Sequence, residues 1–181
     1  MQPTESAVLV LIPEAESAVA SHRADLDPAA ALGVPAHVTV LYPFVPPERV
    51  DETVISDLAG AVGSIGAFDV TFARVRWFER SVLWLAPEPA GPFRALTAAV
   101  ASAFPGYAPY GGAHSDVVPH LTIGQGQPGH VLESAARALE PSLPFTARVS
   151  TAVLMYGSLE AGSWRAVADV RLGQPTASSA C

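Results

Sequence analysis

The chain of 181 residues sets 17 acidic against 10 basic side chains, a formal net charge of −7, and every basic residue is arginine. It therefore lacks the broad positive field that holds long nucleic acid by counterion release. Its one cysteine, Cys181, rules out an intrachain disulfide framework and a cysteine-based zinc site.

The apolar run at residues 7–12 reads as a buried strand. It is too short for a secretory core or a membrane span, so a cytoplasmic protein that does not engage membranes is expected. Residues 14–26 read as a helix with Val19 and Leu26 on one face, stopped near Asp27-Pro28. A strand over residues 37–42 follows. A helix then starts at Pro46-Pro47-Glu48 and carries Val50, Val54 and Leu58 at helical spacing. Residues 68–78 and 81–86 read as a hairpin joined at Glu79-Arg80, a pair without the usual Asn-Gly turn signal. The stripe Phe93, Leu96, Val100 and Phe104 marks a helix over residues 92–104 with a core-facing side. After a Gly/Pro/Tyr-rich loop at 106–117 come a strand (118–124), a helix (128–140) and two strands (145–156 and 164–172). Residues 1–172 read as one domain and 173–181 as a disordered tail.

Two stretches repeat. The first runs from strand 6–12 through Pro13-Glu14 and a helix to Val34-Pro35-Ala36-His37-Val38-Thr39-Val40. The second runs from strand 81–86 through Pro87-Glu88 and a helix to Val118-Pro119-His120-Leu121-Thr122-Ile123. The paired histidines lie about nine residues further apart than the paired prolines, and the loop at 107–116 is where an insertion of that size fits. Each motif leads into a further helix and a strand that opens with Phe68 or Phe145. The pattern implies two similar lobes about a rough two-fold axis.

Alternation along a strand puts His37 and Thr39 on one face with Val38 and Val40 on the other. His120 and Thr122 share a face in the same way, opposite Leu121 and Ile123. A symmetric histidine pair suits displacement at phosphorus, where nucleophile and leaving group stand on opposite sides. One imidazole takes a proton, the other gives one, and threonine hydroxyls donate to the non-bridging oxygens. Such chemistry needs no metal and no cofactor.

The motifs His37-Val-Thr39-Val and His120-Leu-Thr122-Ile resemble the paired His-x-Thr-x signature of the 2H phosphoesterase superfamily, which includes RNA 2′,3′-cyclic phosphodiesterases, also called 2′-5′ RNA ligases. Arg23, Asp27-Pro28 and the stretch from Pro35 to Phe44 are similar to bacterial members of that group. The resemblance spans about residues 6–172. It implies an α+β bilobal fold with pseudo-two-fold symmetry, in which two antiparallel sheets line a central cleft with helices outside. It further implies that His37 and His120 are catalytic and that Thr39 and Thr122 bind phosphate. The implied reaction is the opening of a 2′,3′-cyclic phosphate in RNA processing, with reverse ligation in some members. A small nucleotide or a short RNA end is the expected substrate, and a monomer the expected state.

Phe44, Tyr107 and Tyr110 are further candidates for contact with substrate, each equally readable as packing. Arg74, Arg76 and Arg80 could meet phosphate or lie on a solvated strand face. His114, Asp116 and His120 could be read as a metal site, although their spacing is not that of a helical ligand pair. His22 and His130 fall on helices and read as solvent-facing. The rival to an enzyme is a binding module that holds a nucleotide or phosphorylated metabolite without turnover.

Overall fold

The structure, a computed structural model, describes residues 2–112 and 117–174. Two four-stranded antiparallel sheets form its frame. The first has the strand order β2-β1-β7-β8, made from His37–Leu41, Glu5–Leu11, Thr151–Gly157 and Arg165–Arg171. The second has the order β5-β4-β3-β6, made from Leu121–Gln125, Val82–Glu88, Phe68–Phe78 and Phe145–Val149. In each sheet the strand bearing or following a motif histidine lies at an edge, beside the strand that opens its repeat. The architecture is the expected α+β one, with two lobes related by a pseudo-two-fold axis and helices outside.

The helices cross between lobes. α1 (Glu16–Leu26) packs on β5 of the second sheet, and α4 (Gly91–Ala103) packs on β2 of the first. α3 (Glu52–Gly63) lies on β8 and α4, and α5 (Gly129–Leu139) packs on α1 and β4. One apolar cluster therefore runs through both lobes, from Val8 and Val38 through Phe93 and Leu96 to Leu121 and Leu132. The approach of α1 to β5 uses Gly124, where a Cβ would lie 2.7 Å from Leu26 Cβ and 2.9 Å from Leu132 Cδ2. A second, smaller cluster covers the other face of the first sheet: Ala7, Leu9, Val34, Val153, Met155 and Trp164. Among the described residues no helix is long and apolar enough to cross a membrane.

Four expectations need correction. The helix expected from Pro46-Pro47 makes only a single 3-10 turn there; α3 begins at Glu52, because the Asp51 side chain caps it by accepting from Val54 N at 2.9 Å. The stretch 145–156 is two strands, not one. It changes sheets at Ser150, β6 pairing with β3 and β7 with β1 and β8. For the same reason the strands opening with Phe68 and Phe145 are not symmetry mates; they pair with each other, Phe72 opposite Phe145. A short helix, α2 (Pro28–Ala31), follows Asp27, which caps it by accepting from Ala29 N. Gly173, expected in the tail, donates to Ile65 O at 2.8 Å and accepts from Ala67 N at 2.9 Å. Residues 175–181 lie outside the described residues.

Candidate active site

Strand alternation places the motif residues as expected. Val38, Val40, Leu121 and Ile123 are buried, while His37, Thr39, His120 and Thr122 are partly open. Each imidazole is pinned in the same way. His37 Nδ1 donates to Pro35 O at 2.8 Å and His120 Nδ1 donates to Val118 O at 2.7 Å. A carbonyl can only accept, so when the ring is neutral its proton sits on Nδ1 and Nε2 presents a lone pair. Neither Nε2 has a protein partner among the described residues.

The backbone ahead of His37 is anchored from α1. Arg23 and Asp27, both 3% exposed, form an ion pair in which Arg23 donates through Nε at 3.1 Å and Nη2 at 2.8 Å. The same Nη2 donates to Val34 O at 3.1 Å, and Glu16 Oε1 accepts from Ala36 N at 2.7 Å. The segment from Val34 to Ala36 is thus held by side-chain bonds at both ends, which fixes the carbonyl that orients the ring. The signal for Arg23 is in the sequence: it stands four residues after Val19 and three before Leu26, on the buried face of the helix.

His120 is held by aromatics instead. Phe78 meets its ring edge-on at a centroid distance of 5.1 Å, and Trp84 lies at 5.9 Å. Phe78 and Trp84 stack on each other at 4.6 Å. Trp84 Nε1 is buried without an acceptor among the described residues, and Trp84 is the register partner of Thr122.

Burial pushes the His37 pKa down to about 4, opposed by the Pro35 carbonyl; Arg23 lowers it further, Asp27 raises it and His120 lowers it. Burial also lowers the pKa of His120, opposed by the Val118 carbonyl. That His120 enters the surroundings of His37 agrees with the contact between β2 and β5. Tyr110 joins the lobes. Its amide donates to Tyr42 O at 2.7 Å, its phenol hydrogen-bonds the Thr39 side chain, and it lines the cavity beside His120. That cavity, about 560 Å³, also has Phe78, Glu79 and Gln125 in its wall. A second cavity of about 230 Å³ lies beside His37 and Thr39, walled by Tyr42, Leu159 and Trp164. Gln125 lines both.

The other expected residues divide. Tyr110 reaches the site. Phe44, 2% exposed, is core rather than cleft wall: it packs edge-on against Phe104 at 4.8 Å. Tyr107 packs on the same cluster, 6.2 Å from Phe44, and lines neither cavity. Arg74 turns to Glu88 and Arg80 to Glu133 on the surface. Arg76 is exposed opposite Trp84, two strands from Thr122. His114 and Asp116 lie outside the described residues, among which no cluster of three metal-ligating side chains occurs.

The sequence of residues 12–159 matches the family model of the 2′-5′ RNA ligase superfamily. The chain belongs to that superfamily. No curated protein sequence matches this superfamily member. Its fold is shared with solved 2H structures. Escherichia coli LigT complexed with NADP+ superposes with a TM-score of 0.61 at 20% identity, covering 96% of this chain and all of LigT. LigT complexed with 3′-AMP gives 0.60 at 17% identity with the same coverage. The protein TT0787 of Thermus thermophilus gives 0.57 at 17%, over 94% of this chain and 98% of its own.

Proposed function

We propose that this superfamily member is a metal-independent phosphodiesterase that opens a 2′,3′-cyclic phosphate or a related small nucleotide or RNA-end phosphoester. The observation that carries this reading is the paired fixing of both imidazoles through Nδ1, which leaves two Nε2 atoms free at cavities that share Gln125. LigT, which has the same fold, has been crystallised with 3′-AMP and with NADP+, which supports a nucleotide-like substrate.

In the proposed reaction water attacks phosphorus and the P–O3′ bond breaks, giving a 2′-phosphomonoester. One Nε2 removes the proton of the attacking water while the other, protonated, delivers a proton to the departing O3′. His37, held at about 4, is neutral throughout the neutral range and is assigned the base role, which leaves the acid role to His120. The hydroxyls of Thr39 and Thr122 donate to the non-bridging oxygens as charge builds there.

The test is hydrolysis of 2′,3′-cyclic mononucleotides by the full chain. His37→Ala and His120→Ala should each lower kcat by at least ~10²-fold, the usual scale of an acid–base loss. Activity should survive EDTA. Because both imidazoles are shifted downward, the bell of kcat/KM against pH should peak on the acid side of neutrality. Full activity in both variants would end the reading. Tight nucleotide binding by the wild type with no product after long incubation would favour a binding module.

A further inference from the structure

The two cavities are alike in one respect that the histidine motifs do not determine. Apart from the imidazoles, the charged side chains among their described lining residues are both carboxylates. Glu79 stands at the hairpin end of the His120 cavity, and Glu5 stands in the wall of the His37 cavity. Where the cavities meet, the shared side chain is the neutral Gln125. The remaining walls are largely aromatic and aliphatic: Trp77, Phe78 and Tyr110 on one side, Tyr42, Leu159 and Trp164 on the other. Leu159 is 80% exposed, a large apolar side chain held at the rim. Glu5 accepts a hydrogen bond from Tyr42 Oη at 3.0 Å, which fixes a carboxylate beside the cavity. Of the neighbouring hairpin's arginines, Arg74 and Arg80 face Glu88 and Glu133, and Arg76 lines neither cavity.

Resting on the phosphodiesterase reading above, we infer that the site selects a phosphodiester bearing a single negative charge, flanked on both sides by uncharged groups with apolar or aromatic faces. The histidines and threonines grip one phosphate. A second phosphate on either flank would meet the like charge of a carboxylate, that of the half-buried Glu5 on one side and of the exposed Glu79 on the other. The favoured substrate class is then a nucleoside 2′,3′-cyclic phosphate with a free 5′-hydroxyl, and 5′-phosphorylated analogues and longer RNA ends are disfavoured.

The experiment compares adenosine 2′,3′-cyclic phosphate carrying a 5′-hydroxyl with the same compound carrying a 5′-phosphate. In low salt kcat/KM should favour the 5′-hydroxyl compound by at least ~10-fold, and the preference should shrink as salt screens the repulsion. It should also shrink in the double variant Glu5→Gln/Glu79→Gln. Calorimetric titration of adenosine 2′-phosphate against adenosine 2′,5′-bisphosphate reads the same selection without turnover. If neither cyclic compound is hydrolysed but the monophosphate still binds preferentially, the catalytic reading fails and the charge selection stands. Equal handling of the paired compounds, or binding of neither product, overturns the inference. So does a penalty unchanged by salt and by the double variant, which would be steric. A gain from the 5′-phosphate that is lost in Arg76→Ala would also overturn it and give the second phosphate to Arg76.

Discussion

Holding His37 neutral has a consequence for stability that can be measured without knowing the substrate. The unfolded chain protonates this histidine near its ordinary value of 6.5, the folded chain only near 4. Between those values the unfolded state binds more protons, so stability rises with pH across the window and is lost as pH falls through it. The gap is worth about 3 kcal/mol if the whole of it is realised, and water at the open edge of the ring reduces that ceiling. From about pH 7 to about pH 5 the histidine should cost the wild type about 1–2 kcal/mol of stability by this linkage. His37→Asn is the right comparison, because its amide nitrogen can still donate to the Pro35 carbonyl while the side chain cannot titrate. Urea unfolding of both proteins across this range, subtracted one from the other, cancels the carboxylates and His120. Curves that run parallel within about 0.3 kcal/mol, well inside the linkage expected above, would refute the claim that burial governs His37.

Three further perturbations test the frame around the site. Asp27→Ala strands the buried Arg23 charge and removes the cap of α2, so it should cost about 3–5 kcal/mol in urea unfolding, whereas Arg23→Met/Asp27→Leu should recover most of that loss. Gly124→Ala puts a methyl group against the Cβ of Leu26 and the Cδ2 of Leu132; a loss of about 1–3 kcal/mol in urea unfolding is expected, and an unchanged urea midpoint would refute the close approach. Glu79 and Arg80 both have positive φ, 45° and 61°, in the three-residue connection between β3 and β4, where Ser81 N donates to Phe78 O. Arg80→Gly should therefore raise stability by about 0.5–1 kcal/mol, since its surface contact with Glu133 contributes little and the left-handed backbone favours glycine. A lower urea midpoint in Arg80→Gly would count against that account of the turn.

The motif faces were legible in the sequence because strand alternation is local: once residues 37–41 are extended, Val38 and Val40 must oppose His37 and Thr39. The strand over Phe68–Phe78 was legible for the same reason. The sheet change at Ser150 was not. Extended residues on both sides satisfy the strand pattern, and only the pairing partners, β3 on one side and β1 with β8 on the other, distinguish two strands from one. Phe44 misled because a position just after a motif says nothing about depth, and depth here is set by α4 packing on β2 from the opposite lobe. The place of the turn at Glu79-Arg80 was legible but its backbone type was not, because its residues are not those that positive φ prefers.

The repeat itself changes meaning once both rings are placed. Aligned by sequence, Pro35 answers to Pro119, with one more residue between proline and histidine in the first motif. Aligned by hydrogen bonds, Pro35 answers to Val118, because each ring donates to the carbonyl two residues before it. What the lobes share is a backbone acceptor at a fixed offset, and a backbone acceptor places no demand on side-chain identity. The supports behind it have diverged freely: a buried ion pair holds the approach to His37, and an aromatic stack holds His120. Symmetry is kept at the nitrogen atoms proposed to move protons and abandoned one layer behind them. That layer sets the two histidines in unlike surroundings, one against Arg23 and Asp27, the other against Phe78 and Trp84, and so allows one imidazole to act as base and its mate as acid.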